Sequence, residues 1–402
     1  MSGKRKTAVL GAVGDVVLSG PNAEMMQANG AGWLMEKMLP ELAKADVLFG
    51  NMESMVLPPG FPAEKRDPKG MVSPFDGTAA LKEAGFGFMN LANNHVLDGG
   101  TLGMFHTQKL IEAHGIVTGG VGETQAEARQ LKVIEAGGLR IGFLCYCEDC
   151  NWVLSTRGPG FAYYDEQTIL EDIAANRGNV DVLVVSVHAD IEFMETPCPQ
   201  RRDIARRLAR AGATVILEHH PHVPQGVEMI GKSLIAYSLG NFAFNAHSDR
   251  YLALHKPHTT WTCLLRVTLS PEGVESFERV PVKIDAPPNE RPVPLAGAEA
   301  DKMLAYFDEL DRKVRDDAVV AANWRAAAMK LFNTTLRQLR ELEEPEAVQH
   351  LFAKSLFVAE NASWSREVYE ALRETWQQHR DRVDPYHRPS YAFVERLRPK
   401  KK

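Results

Sequence analysis

Up to residue 290 the apolar residues fall into short continuous runs, separated by segments with helical spacing. Residues 7–13 read as a buried first strand that Gly14-Asp15 ends, and 46–49, 86–91, 181–187, 213–217 and 234–237 read as further buried strands. Trp33, Met35, Met38, Leu39 and Leu42 predict a helix over 32–44, and the same 3.6-residue period predicts helices over 76–84, 102–114, 168–176 and 201–211. Two hairpins are expected, 131–136 with 139–146 around Gly137-Gly138 and 261–269 with 274–284 around Pro271-Glu272-Gly273. Residues 57–74, rich in Pro, Gly and charge, read as a loop. This alternation of strand and helix predicts an α/β fold, in which ligands bind outside the carboxyl ends of the strands.

Pro287, Pro288, Pro292 and Pro294 mark a boundary, after which the period is helical throughout, over 302–314, 318–339, 345–357 and 365–378. The expected organisation is a first domain over 1–290 and a helical appendage over 295–402, whose basic end at 396–402 has no structure to hold it. The appendage shows no chemistry, so packing or a homo-oligomer contact is its default role.

Chemistry gathers where the strands stop. Five strand ends carry residue types that bind metals: Asp15, Asn51 with Glu53, Asn94 with His95, His188, and His220 with His222. In Glu218-His219-His220-Pro221-His222, Pro221 excludes helix, so the histidines sit on extended or turning chain. On extended chain a spacing of two puts both imidazoles on one side, as it does Asn51 and Glu53. Three histidines in four residues suggest a metal or phosphate site. Each residue has a structural alternative: Asp15 as a helix cap, His188 as a core histidine, Asn94 as a turn residue. Core packing gives no reason for five strands in succession to end this way.

A hydrophobic content of 45% and a charged content of 24% are those of a globular protein, and a formal net charge of -6 gives no reason to expect nucleic acid as partner. The five cysteines include Cys145, Cys147 and Cys150, which lack an evident fourth ligand for a soft metal and read by default as buried thiols. No disulfide framework and no apolar run approaching the ~18 residues of a membrane span are visible, so a cytoplasmic protein without a stable membrane anchor is expected. Asp15 interrupts the apolar run behind Lys4-Arg5-Lys6, which argues against a signal peptide.

The strand-end segments together resemble the CapA family of capsule-synthesis (poly-γ-glutamate synthesis) proteins, within the calcineurin-like metallophosphatase superfamily. The matching stretches are Gly14-Asp15, Asn51-Met52-Glu53, Asn93-Asn94-His95 with Asp98-Gly99-Gly100, His188, His220-Pro221-His222 with Gln225, and Tyr237-Ser238-Leu239-Gly240-Asn241-Phe242. The resemblance implies a four-layer metallophosphatase-like β-sandwich flanked by helices, with one or two divalent ions (Mn, Fe, Zn or Mg) at the strand ends. It implies that Asp15 and His222 hold one metal, that Asn94, His188 and His220 hold the other, and that Glu53 bridges. Asn51 lies in the same motif as Glu53 and is a further candidate ligand. His95 would donate a proton to the leaving group, with Asp98 orienting its ring. Val17 stands where phosphatases have a histidine, and Ala189-Asp190 stand where relatives carry Trp-Gly before a Glu, here Glu192. The function expected is a metal-dependent hydrolase or phosphoryl- or acyl-transfer enzyme acting on phosphate or γ-glutamyl-type substrates. The alternative is a non-catalytic accessory protein that binds an anionic polymer or acyl phosphate at a reduced metal site.

Overall fold

The computed structural model describes residues 6–62, 70–148 and 158–341. The chain divides into two compact units, the first running to Asn323. Within it two large sheets carry the fold. In the first, Ala8–Val16 is flanked on one side by the parallel strands Val47–Met52, Phe86–Asn90 and Val117–Gly119. On its other side lie the antiparallel strands Trp261–Ser270, Gly273–Ile284 and Pro292–Pro294. The second sheet has Leu139–Cys147, Val182–His188, Val215–His219 and Ser233–Ala236 as parallel neighbours, with Lys132–Ala136 and Val227–Ile230 antiparallel at its edges.

Alternation along the strands explains the layering. Val182 and Val184 face the core between the sheets, while Leu183, Val185 and Val187 face a second cluster under the helices Glu166–Asn176 and Pro199–Ala211. A strand buried on both faces has to be apolar at every position, which is why it reads as a continuous run. Between the sheets, Phe49 and Phe88 of the first stack on Phe143 of the second, with ring centroids 6.2 and 4.2 Å away. Residues of the helices Gly100–Ala113 and Ala79–Ala84, such as Met104, Ile111 and Leu81, cover the first sheet. The result is an α/β sandwich of four layers, as expected.

Two local expectations are corrected, and one unpredicted helix is added. The helix over 32–44 is instead a series of short turns, Ala31–Leu34, Glu36–Met38 and Leu39–Leu42, because Pro40 has no N–H to continue a helix. A helix at Pro21–Asn29 precedes them, with its proline in the first turn. The first strand does not end at Gly14-Asp15 but continues to Val16, because Asn241–Ala243 adds beside it in parallel.

The expected boundary at 290–295 falls inside the first unit. Pro292–Pro294 is an edge strand, a position that tolerates proline. The helix Gly297–Arg315 is tied to the sandwich where Asp311 accepts from Val227 N at 2.7 Å and from Arg279. A second unit begins at Trp324, within the helix Asp317–Glu341. The helices expected over 345–357 and 365–378, the basic end and Cys150 lie outside the described residues. Among the described residues, Cys145, Cys147, Cys198 and Cys263 are buried thiols. No described helix is long and apolar enough to cross a membrane.

Glu195 fastens the Gly297–Arg315 helix from the loop after His188, accepting from Lys313 Nζ at 2.8 Å and Tyr306 Oη at 3.2 Å, and pairing with His258 at 3.0 Å. The His258 hydrogen bond and the Lys313 ammonium pull its carboxyl from 4.5 down to about 2, against the opposing effect of burial. A depressed carboxylate stabilises the fold above its unfolded pKa and loses that contribution as pH falls toward the folded one. Glu195→Gln should therefore cost about 1–2 kcal/mol at pH 7, after discounting for partial exposure. In denaturant titrations the gap to wild type should close as pH falls from about 5 toward 3, and a gap independent of pH would refute the assignment.

Candidate metal centre

The parallel register builds the floor of the site. Asp15 is paired with Asn241 on one side and Asn51 on the other, and Asn51 is paired with Asn90. Four adjacent strands thus present one row of buried polar side chains at their carboxyl ends. Asn90 Nδ2 donates to Asn51 Oδ1 at 2.8 Å, and Asn51 Nδ2 donates to Asp15 Oδ1 at 2.8 Å. Gly14 permits this arrangement: a Cβ there would lie 1.8 Å from Gly240 O, on the strand whose close approach lets Asp15 N donate to that carbonyl at 3.0 Å.

The second sheet supplies the histidines. His188 ends its strand with Nδ1 3.1 Å from Asn51 Nδ2 and Nε2 2.8 Å from Asn94 Oδ1. His220 and His222 follow the neighbouring strand. They converge by turning rather than by lying on extended chain, with φ of 98° and 57°. Such strain in non-glycine residues persists where the surroundings enforce it, commonly at functional sites. The His220 ring is 5.0 Å from that of His188 and 5.9 Å from that of His222.

Glu53 sits among them, fully buried. Its Oε1 is 3.6 Å from His188 Nε2, 3.9 Å from His222 Nε2 and 4.0 Å from His95 Nε2. Neither Glu53 oxygen has a hydrogen-bond partner, nor does Asp15 Oδ2 or either nitrogen of His220. Buried polar groups are almost always satisfied, so a cluster of orphans marks a place built for something else. Two ligand triads share Glu53: Glu53 with His188 and His220, and Asp15 with Glu53 and His222, the ligand atoms of each lying within 4.8 Å of one another. Mixed imidazole and carboxylate donors at this spacing fit divalent cations.

The electrostatics agree. Burial, and then the neighbouring Asp15 carboxylate, push the Glu53 carboxyl well above the usual range. Burial, and then the neighbouring His220 and His219, push His188 well below its ordinary value. Burial brings His220 down to about 4, against the pull of Glu192, so its imidazole is neutral and free to ligate. Burial would raise Asp15, but the His219 hydrogen bond, the charges of His219 and His222 and the Asn51 amide outweigh it, and the group stays ionised. A cation among these groups removes the penalty that each carries alone.

All nine residues expected from the sequence therefore meet here, in different positions. Asp15, Glu53, His188, His220 and His222 form the triads, and Asn94 touches His188. His95 stands at the rim with Nδ1 2.8 Å from Asp98 Oδ2, which also accepts from Met71 N at 2.6 Å. Asn51 has both ends of its amide engaged, by Asn90 and Asp15, and so positions ligands rather than presenting a free oxygen. His219, assigned no individual role from the sequence, has Nδ1 3.3 Å from Asp15 Oδ1 and its ring stacked on Phe49. Its place one residue before the His-Pro-His turn is the signal that could have found it. Asn90 carried no signal of its own. His106 is not among the site residues, and His114 is held at Thr78, 3.2 Å from its Oγ1. Of the polar loop after Phe242, Asp249 caps a short helix, His258 pairs with Glu195, and His255 stacks on Phe193 with centroids 3.8 Å apart.

Comparison with known proteins gives this geometry a lineage. The family described as "Bacterial capsule synthesis protein PGA_cap" matches residues 9–246, more than half of the chain. The chain belongs to this family. The match runs from the first strand to the segment just past Asn241, so it contains every residue of the centre. Among relatives, the capsule biosynthesis protein CapA of Bacillus anthracis is 28% identical over 327 residues, covering 79% of this chain and 75% of its own. The PGA biosynthesis protein CapA of Bacillus subtilis is 26% identical over 275 residues, covering 68% and 70%. Among solved structures, a Candida albicans 5'-nucleotidase aligns with a TM-score of 0.38 and 9% identity over 77% of this chain and 59% of its own.

Gly14→Ala should test the floor of the site. The methyl has no room against the Gly240 carbonyl, so the strand pair must part, at a cost of about 1–3 kcal/mol or more. Thermal unfolding should show the loss and divalent-metal binding should weaken with it. A variant with wild-type stability and metal affinity would contradict the packing argument.

Proposed function

We propose that this capsule-synthesis family member is a metal-dependent hydrolase or phosphoryl- or acyl-transfer enzyme, acting on anionic phosphate or γ-glutamyl-type substrates. The observation that carries the reading is the Glu53 carboxylate, buried without a hydrogen bond, shared by two ligand triads and facing a histidine that is not itself in either triad. In this reading Asp15 and His222 would hold one cation and Asn94, His188 and His220 the other, with Glu53 belonging to both sets. Bound divalent cations supply Lewis-acid polarisation of the substrate oxygen and lower the pKa of a nucleophilic water. The chain's residues do the rest. Asn51 and His219 fix Asp15 through Oδ1 and leave Oδ2 to face the centre. Asp98, pinned by Met71 N, holds the His95 ring by Nδ1, so that Nε2 points inward where a leaving group would depart. Protonation of that group by a positioned imidazole is worth about 10²–10⁴-fold in rate.

The test pairs His95→Ala with His220→Ala, following bound metal by elemental analysis and turnover on a phosphate monoester and on a γ-glutamyl anilide. His95→Ala should keep its metal and lose about 10²–10⁴-fold in rate, whereas His220→Ala should lose metal as well. Equal metal loss in both, or full activity in His95→Ala, would reject the proton-donor role. Metal and ligand binding without turnover in the wild type would favour the accessory reading over the enzyme.

A further inference from the structure

His222 meets the centre through one nitrogen. Its Nδ1 is 2.9 Å from Asn241 Oδ1, an acceptor, while Asn241 Nδ2 donates to the carbonyls of His222 and Thr259 at 3.2 and 3.0 Å. That network fixes the proton on Nδ1 and leaves the lone pair on Nε2. Nε2 lies 3.9 Å from Glu53 Oε1 and also 3.9 Å from Glu192 Oε1, and Asp15 Oδ2 is 3.7 Å from Nδ1. The ligand atoms of Glu192, His220 and His222 all fall within 4.8 Å of one another, as compact a set as the two triads that share Glu53. His220, which belongs to this third set, is buried with neither ring nitrogen hydrogen-bonded.

The loop that carries Glu192 is held against the histidine turn. Ala189 N donates to His219 O at 3.1 Å and Phe193 N donates to Pro221 O at 2.8 Å, and the loop contains its own strained residues, Asp190 and Phe193, at φ of 90° and 64°. Tyr251 Oη donates to Glu192 Oε2, which leaves Oε1 turned to His222. Val17 is packed in an apolar cluster with Phe244, Ala246 and Leu252, against which Phe193 of the same loop rests, and can ligate nothing. Val17 thus supplies no donor, and Glu192, half-buried at the solvent side, holds Oε1 3.9 Å from His222 Nε2.

We propose that Glu192 is a metal ligand: it binds the cation held by His222 Nε2 and closes the centre from its solvent side as a third carboxylate. A third oxygen donor beside Asp15 and Glu53 suits a hard or borderline cation such as Mn²⁺. The inference rests on the metal-centre reading above and adds a ligand to it.

The experiment is calorimetric titration of the metal-stripped full chain with Mn²⁺, with Mn²⁺ electron paramagnetic resonance as a second readout. Glu192→Gln preserves shape and the acceptor for Tyr251 and removes only the charge. Wild type should bind two ions, and Glu192→Gln should lose about tenfold or more in affinity for one of them, with the other unchanged and the metal-free melting temperature preserved. Tyr251→Phe, which keeps the carboxylate, should retain both ions within a few fold. Glu192→Gln binding both ions with wild-type affinity overturns the proposal while leaving the metal centre standing. So does Tyr251→Phe losing an ion as completely as Glu192→Gln, since the effect then belongs to the loop. A wild type that binds no Mn²⁺ overturns the proposal together with the reading it rests on.

Discussion

The structure turns on the burial of the Glu53 carboxylate among four imidazoles with no hydrogen bond to either oxygen. Removing an ionised carboxylate from water costs several kcal/mol even after relaxation, so such a group either takes up a proton, the direction in which burial pushes Glu53, or stays ionised beside an opposite charge. His188 and His220, whose pKa values burial pulls down, do not supply that charge. On the proposed reading, bound divalent cations would supply it and would satisfy the orphaned atoms of Asp15 and His220 as well. The ligand set is therefore one electrostatic unit rather than a list of polar residues that happen to be near each other.

The sandwich makes that unit affordable. Two sheets with parallel centres end their strands at one edge, and the phenylalanines between them fix how closely the two sets of strand ends approach. The row Asn241, Asp15, Asn51, Asn90 follows from register: a slip of one residue would turn every member of it to the opposite face. Amides fill most of that row because they can donate to a carboxylate on one side and accept from a neighbour on the other without adding charge.

Much of this was legible in the sequence, for a physical reason. Strands such as Val182–His188 are apolar at every position because both faces are covered, so a polar residue can appear only where the sheet ends, and His188 marks that point. The same logic located Asp15, Glu53 and the His-Pro-His turn. What remained hidden depended on partners distant in the chain. The extension of the first strand through Asp15 needs Asn241–Ala243, more than two hundred residues away, and no local pattern announces it. His219 reads only as one of three clustered histidines, with no role of its own, because its contacts, Phe49 and Asp15, come from the other sheet. Asn51 shares a side with Glu53 in sequence, yet its strand ends at Met52, so Glu53 turns into the centre while Asn51 stays in the row behind it. The helix misread over 32–44 is different in kind: Pro40 was visible, and the apolar spacing outweighed it wrongly.

The central claim is that Glu53 lies between two cations, and anomalous diffraction from crystals equilibrated with Mn²⁺ tests it most directly. The account predicts two anomalous peaks about 3.5–4 Å apart flanking the Glu53 carboxylate, one beside His188 and His220 and the other beside His222. Peaks elsewhere on the chain, or none at Glu53 in protein saturated with Mn²⁺, would contradict it.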